Sequence, residues 1–286
     1  MFSRPAATLV LGLALALSAC STGPDAPDPV DTTGSHAPDS ATTGQLPPAG
    51  QVVDYQLGGG YDPAAGVAGV VRDVTDTPAE GLWSGCYVNG FQTQPAERQS
   101  WLDEHPDLVL RDDAGEPVID PGWPDELLLD ISTPEQRAGI AAVLGPVITG
   151  CATRGFDAVE LDNLDTWTRS DGRLTEDDAV AMATLLVAAG HDVGLAVGQK
   201  NAPDLGTRGR DEAGFDFAVA EECQRYDECD RYTDVYRTAV IDIEYADDLS
   251  GSWSEVCADP QLPASSVLRD RDLTTPASPD YVFDVC

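Results

Sequence analysis

The chain has 286 residues, with 50 acidic and 16 basic side chains, a formal net charge of -34 and a pI near 4.1. Phosphate recognition needs clustered Lys and Arg, so this balance argues against nucleic acid as a partner. It leaves three readings of the charge: adaptation to salt, simple solubility, or attraction of a polycationic substrate by the summed field.

At the N-terminus, Arg4 precedes an apolar run from Ala6 to Leu17, and Leu17-Ser18-Ala19-Cys20 follows. A basic start, a short apolar stretch and small residues before a cleavage point make residues 1–19 a signal peptide. The Leu-Ser-Ala-Cys ending resembles the lipobox of bacterial lipoproteins, which implies lipidation of Cys20 and export to the cell envelope. The alternative is an ordinary secretory peptide with Cys20 incidental. The apolar run is too short to span a bilayer, so membrane attachment is expected through the lipid alone. Residues 20–49 are rich in Ser, Thr, Pro, Gly and Asp and read as a flexible tether. Residues 50–286 then hold one domain, expected to be monomeric.

From residue 50 short apolar runs alternate with longer amphipathic segments. Val52–Leu57, Val67–Val74 and Leu82–Val88 read as strands, the third ending in Asn89-Gly90. Residues 91–126 are a long Pro- and Asp-rich excursion with Trp101 and Trp123. Leu127–Ile131 reads as the next strand, with Asp130 near its end. Ser132-Thr133-Pro134-Glu135 is a strong helix start, running to about Thr149. The Phe156–Leu161 strand follows, then a helix capped at Thr175–Asp178 and continuing to Ala189. Val193–Val197, Phe215–Ala220, Ala239–Ile243 and Ser265–Leu268 complete the strands, with short helical segments at 203–213 and 227–236. This alternation implies a parallel sheet, and eight or nine strands favour an α/β fold of the (β/α)8 TIM-barrel type. The glycine signatures of dinucleotide-binding and P-loop folds are missing.

Six cysteines remain beyond Cys20: Cys86, Cys151, Cys223, Cys229, Cys257 and Cys286. An even count in an exported chain points to disulfides. Fifteen pairings are open combinatorially; the favoured set is Cys223–Cys229 as a short loop and Cys257–Cys286 as a staple of the tail, leaving Cys86–Cys151. A zinc site is the weaker reading, because there is no Cys-x-x-Cys and the three histidines are scattered.

Successive strands end in polar clusters: Asn89; Asp130; Glu160, Asp162 and Asn163; Gln199, Lys200 and Asn201; Glu221 and Glu222; Asp242 and Glu244; Arg269. A single such cluster is most often a solvated loop or helix cap. Many at one end of successive strands would line a bowl, at the face where barrel active sites sit. The densest is Glu160, Asp162, Asn163 and Asp165, and strand alternation points Glu160 and Asp162 the same way. Acids without histidine suit glycoside hydrolysis, which uses one carboxyl to protonate the leaving oxygen and one as nucleophile or base. Lys200 is the single lysine in the chain and sits in that bowl, where a compact ammonium is required rather than a planar fork.

These residues resemble glycoside hydrolase family 114. The resemblance rests on Val159 to Asp165, Gln199-Lys200-Asn201, the run Glu221 to Cys229 with its Cys-x5-Cys, and Glu244-Tyr245. It takes in Tyr55-Gln56-Leu57, Cys86-Tyr87, Trp123-Pro124 and Leu129-Asp130, and covers residues 50–286. It implies a TIM-like barrel and endo-α-1,4-polygalactosaminidase activity on galactosamine-containing polysaccharide, with no cofactor or metal. It implies Asp162 as nucleophile and Glu221 as general acid/base, with Glu222 able to exchange roles with Glu221. Glu160, Asn163, Asp165, Tyr87, Asp130, Lys200, Asn201, Glu244 and Tyr245 would bind sugar or tune the acids. Tyr87, Trp123, Trp167 and Tyr245 are candidates to stack on sugar rings. Residues 202–212 depart from the family's usual Asp- and Leu-rich segment. Partly deacetylated galactosaminan is cationic, which would give the acidic charge a use. A non-catalytic polysaccharide-binding barrel lipoprotein is the competing class, and an acid-lined metal site serving another hydrolysis is a third.

Overall fold

The computed structural model describes residues 44–286. The predicted leader, Cys20 and most of the tether lie outside the described residues. The chain is already docked at Gln45, whose amide donates to Asp157 at 3.0 Å and whose carbonyl accepts from the Trp83 indole at 2.8 Å. The docked part of the chain therefore includes residues ahead of residue 50.

Eight strands pair in parallel and in chain order: β1 (Val53–Gln56), β2 (Gly69–Asp73), β3 (Trp83–Asn89), β4 (Ala158–Asp162), β5 (Ala196–Lys200), β6 (Phe217–Glu221), β7 (Val240–Tyr245) and β8 (Ser265–Arg269). A short β9 (Phe283–Val285) adds antiparallel to β8. The sheet curls into a TIM-barrel-like form. At its seam Arg269 of β8 is fully buried and bonds the Asp54 carboxylate of β1 at 3.0 Å, the Tyr55 carbonyl, and the carbonyls of Thr274 and Val282. Removing one partner of a buried pair strands the other charge. Arg269→Met is therefore expected to cost about 3–5 kcal/mol in denaturant unfolding. A loss below about 1 kcal/mol would mean that other contacts hold the seam.

The helical layer is incomplete. The long helices are α2 (Pro134–Arg154) and α3 (Glu176–Asp192), joined by the shorter α4 (Cys229–Tyr236) and α5 (Trp253–Val256); α1 (Arg98–Glu104) lies in the excursion after β3. No α-helix links β1 to β2 or β2 to β3, so the strands follow the barrel order while the helices fall short of eight. The predicted starts are as read. Thr133 accepts from the Gln136 amide with Pro134 in the first turn, and Thr175 and Asp178 form a reciprocal capping box. Helix α2 outruns Thr149 because Gly155, at φ 95°, supplies the left-handed stop only there.

One expected strand is corrected. Leu127–Ile131 forms no sheet strand; it makes antiparallel bridges within the excursion, Gln92 to Leu128, Val109 to Leu129 and Ile119 to Leu127. A short apolar run buried on both sides looks the same in sequence whether it joins a parallel sheet or a packed loop.

Strand alternation builds two cores. Val53, Tyr55, Val71, Phe217, Val219, Ile241 and Ile243 fill the inside of the curl, and their strand neighbours pack against α2, α3 and α4. Gly198 of β5 is required there, since a Cβ would lie 2.5 Å from the Phe217 ring. The three disulfides are Cys86–Cys151, Cys223–Cys229 and Cys257–Cys286.

Candidate active site

The alternation that fills the curl also aims Tyr87 of β3, Glu160 and Asp162 of β4, Lys200 of β5, Glu221 of β6 and Tyr245 of β7 into its C-terminal mouth. Lys200 is the centre. Its ammonium lies 3.4 Å from Glu160, 3.6 Å from Asp162 and 3.2 Å from Glu221, and donates to the Tyr55 hydroxyl at 3.0 Å. Tyr55 in turn donates to Glu160 at 2.7 Å. Lys200 is buried in the floor of the mouth and Glu160 beneath it, whereas the side chains of Asp162 and Glu221 remain 17% and 27% exposed. The two exposed acids are thus the pair that a substrate reaches.

Each is held by a neighbouring strand. Tyr87 donates to Asp162 Oδ2 at 2.7 Å, and the Asn163 amide donates to Oδ1 at 2.7 Å. Tyr245 donates to Glu221 Oε1, and the Asn201 side chain donates to Oε2 at 3.0 Å. The chain turns sharply just past these strands: Asn163, Asn201 and Glu222 all adopt positive φ, near 63°, 49° and 60°. Left-handed non-glycine residues after three successive strands are a local cost of the kind that collects at functional sites.

Above this floor is a cleft of about 600 Å³. Its walls include Trp123, Asp120, Glu126, Asp165 and Arg169 on one side and Glu222, Tyr245, Arg271 and Leu273 on the other. Trp123 is 63% exposed and offers an open ring face to a sugar. Arg169 bridges Asp120 at 2.6 Å and Asp165 at 2.7 Å and donates to Asn163 at 3.1 Å. Arg271 pairs with Glu222 at 2.8 Å and lies 4.4 Å from the Tyr245 ring centroid. Glu222 is therefore turned to the wall and committed to an arginine, while Glu221 faces Lys200.

Several expected site residues lie elsewhere. Asp130 is outside the cleft lining: its carboxylate accepts from Ser132 and from Gln136 at 2.6 Å, capping the start of α2. Glu244 alternates with Tyr245 and so sits on the outer face of β7, accepting from the Gln224 amide at 2.8 Å. Trp167 packs against the outer core. Glu160 lies below the cleft and bears on it through Lys200 and Tyr55. Cys223, Asp242 and Glu244 bring ligand atoms within 4.8 Å of one another, but the Cys223 sulfur is bonded to Cys229, which withdraws the thiolate a metal would need. Glu126, Asp120 and Arg169 were not singled out by the sequence. Arg169 carried a usable signal: in so acidic a chain, a base four residues after Asp165 marks a charge partner.

Burial pushes the carboxyls of Glu160, Glu126 and Glu244 up to about 7 from an ordinary value of 4.5, with neighbouring acids adding to the rise. Burial and the adjoining Glu244 also push Asp242 well up. Asp242 acts in the same direction as the three glutamates, and those three hold protons in the fold that the unfolded chain releases near 4.5. Their stabilisation is complete below that value and is lost as pH rises through about 7, on the order of 3 kcal/mol for each group. His191, raised by its bond to Asp216, acts in the same direction. The melting temperature is therefore expected to fall steadily between about pH 5 and pH 8 at fixed ionic strength. A flat or rising profile in scanning calorimetry would refute the protonated state of these buried acids.

Two carboxylates facing one another across an ammonium at the mouth of such a sheet are the groups that glycoside hydrolysis needs, one to protonate the leaving oxygen and one to act as nucleophile or base. The chain belongs to glycoside-hydrolase family GH114, whose model matches residues 33–286. No curated protein matches it in sequence. Among solved structures, Ega3 of Aspergillus fumigatus, crystallised with galactosamine, superposes with a TM-score of 0.67 at 22% identity, covering 85% of this chain and 98% of its own. The glycoside hydrolase domain of PelA from Pseudomonas aeruginosa superposes with a TM-score of 0.54 at 13% identity, covering 82% and 99%. At those identities the likeness is one of fold.

Proposed function

We propose that this glycoside hydrolase cleaves α-1,4-linked galactosamine-containing polysaccharide, with Asp162 as nucleophile and Glu221 as general acid/base. We further propose that it is exported and held at the cell envelope by a lipid on Cys20. The observation that carries the site is the shared ammonium. At 3.6 and 3.2 Å from Lys200, the facing oxygens of Asp162 and Glu221 lie within roughly 7 Å of each other. The ~5 Å separation of retaining enzymes falls inside that bound, and most of the roughly 6.5–9.5 Å range of inverting enzymes falls outside it. In the first step Glu221 gives its proton to the glycosidic oxygen as Asp162 attacks the anomeric carbon. The C–O bond breaks and a glycosyl ester forms. Water then cleaves the ester while Glu221 recovers the proton.

Support for the substrate comes from the family, from the galactosamine bound to Ega3, and from charge. A polymer of free amino sugars is cationic, and both walls of the cleft carry carboxylates. The test is depolymerisation of partly deacetylated galactosaminan by residues 44–286. Release of soluble oligomers, at a kcat/KM that declines with added salt, supports the reading. Binding without cleavage would favour a carbohydrate-binding role, and rates indifferent to salt would remove the steering argument. For the anchor, Cys20→Ser is expected to release the protein from membranes to the medium.

A further inference from the structure

Beside Glu221 one guanidinium joins three strand-end loops. Glu222 follows β6, Asp247 follows β7 and Arg271 follows β8. Arg271 forks onto Glu222, with Nη1 3.1 Å from Oε2 and Nη2 2.8 Å from Oε1. Its other edge meets Asp247, with Nε 3.0 Å from Oδ2 and Nη2 2.9 Å from Oδ1. Carboxylates on two edges fix the plane of the group and leave its flat face to the Tyr245 ring, 4.4 Å from the centroid.

These bonds use up the guanidinium. It faces two acids that outnumber it in charge, so it is no anchor for an anionic sugar group. Tyr245 is equally committed. It is 4% exposed, too covered to serve as a platform for a sugar, and its hydroxyl donates to Glu221 Oε1. A small swing of the ring would take that hydroxyl off its acceptor, and a guanidinium stacked on the ring opposes the swing. The left-handed turn at Glu222 divides the two adjacent acids: Glu222 goes to Arg271, and Glu221 keeps Lys200 at 3.2 Å.

We propose that Arg271 is a positioning residue for the general acid: clamped between Glu222 and Asp247, it holds the Tyr245 ring so that the hydroxyl stays on Glu221. This rests on the reading of Glu221 as the reacting acid. The bond from Tyr245 favours the charged form of Glu221, so loosening it raises the pH at which Glu221 gives up its proton. The other titratable groups facing Glu221 are Lys200 on β5, Glu160 and Asp162 on β4, Tyr55 on β1, Asp242 on β7 and Tyr232 on α4. None of them bonds to Arg271 among the described residues. A change at Arg271 therefore reaches Glu221 through the stack or through lost charge.

Arg271→Lys separates these routes, because it keeps the charge and loses the planar face and the fork. The test is the titration of the Glu221 carboxyl, followed by NMR in the domain with isotope-labelled glutamate and identified by the signal lost in Glu221→Gln. Arg271→Lys is expected to raise the midpoint, and not to raise it further once Tyr245→Phe has removed the hydroxyl. An unmoved midpoint in Arg271→Lys, or an equal rise with and without the hydroxyl, overturns the proposal. On polymer the same variant is expected to lower kcat/KM about twofold to thirtyfold, the range of one cation–π contact, with the pH limb displaced upward. A uniform loss with the limb in place marks a merely structural role and also overturns it. If the wild type cleaves no polymer, or its limb does not follow the Glu221 midpoint, the reading of Glu221 as general acid fails, while the titration still decides the clamp.

Discussion

Asp162→Asn is expected to abolish turnover on polymer, and Glu221→Gln to lower it by about a hundredfold to ten-thousandfold, the usual share of general acid–base catalysis. Both changes preserve shape and remove charge. The Asn can still accept from Tyr87 and the Gln from Tyr245, so loss of fold is not expected. A good leaving group separates the roles. An aryl galactosaminide expels a phenol that needs no proton, so Glu221→Gln should recover its first step and stall as a glycosyl ester on Asp162. Mass spectrometry of the trapped protein reads that ester directly. Recovery by Asp162→Asn instead, with an adduct on Glu221, would exchange the two assignments. Full activity in both variants would remove the pair from the chemistry.

The pH profile follows from the same contacts. Burial pushes the Glu221 carboxyl up, but the Lys200 ammonium and the bonds from Tyr245 and Asn201 prevail and hold it below its ordinary value. As the proposed general acid, Glu221 must carry its proton, so kcat/KM is expected to fall as pH rises above that depressed value. Stability falls in the same direction, through Glu160, Glu126 and Glu244. Activity and stability therefore both decline as pH rises, and for different reasons. The activity limb belongs to an exposed acid held charged, and the stability limb to buried acids held neutral.

Much of this was legible in the sequence because strand alternation is strict. Once Asp162 is placed at a strand end, Glu160 must lie beneath it on the same face. Glu221 follows Phe217 and Val219 into the same mouth. Glu244 was misplaced by the same rule. In a barrel both faces of a strand are buried, so Val240-Ile-Asp-Ile-Glu-Tyr245 shows no outward polarity to warn that Asp242 and Glu244 point to the outer face. Asp130 lies away from the cleft because the apolar run before it joins the packed excursion instead of the barrel sheet, a difference that the run itself does not show. Glu126 was illegible for another reason. It sits at the end of a long excursion whose antiparallel bridges no periodicity announces, and only the fold brings it to the cleft wall.

Lys200→Met tests how the site is wired. Removing the cation leaves Glu160, Asp162 and Glu221 facing one another with no compensating charge, and one of them must take up a proton. The expected loss of stability is about 3–5 kcal/mol near pH 8, above the value of about 7 to which Glu160 is raised, and it shrinks at acid pH as the carboxyls protonate. Activity should fall about a hundredfold or more, with the pH limb assigned to Glu221 moving upward because its main counter-charge is gone. A structural role alone would lower the rate and leave the limb in place. Lys200→Arg should not restore function, since a planar fork cannot fit a site enclosed by Tyr55, Tyr87 and three acids. Adding Glu160→Gln to Lys200→Met completes the argument. Glu160 is the fully buried acid of the three, so neutralising it should return most of the lost stability. Activity should stay low, because the ammonium between Asp162 and Glu221 is still missing. Recovery of both together would make Lys200 no more than a counter-ion for Glu160. Recovery of stability alone makes it the group that sets the charge of the reacting pair.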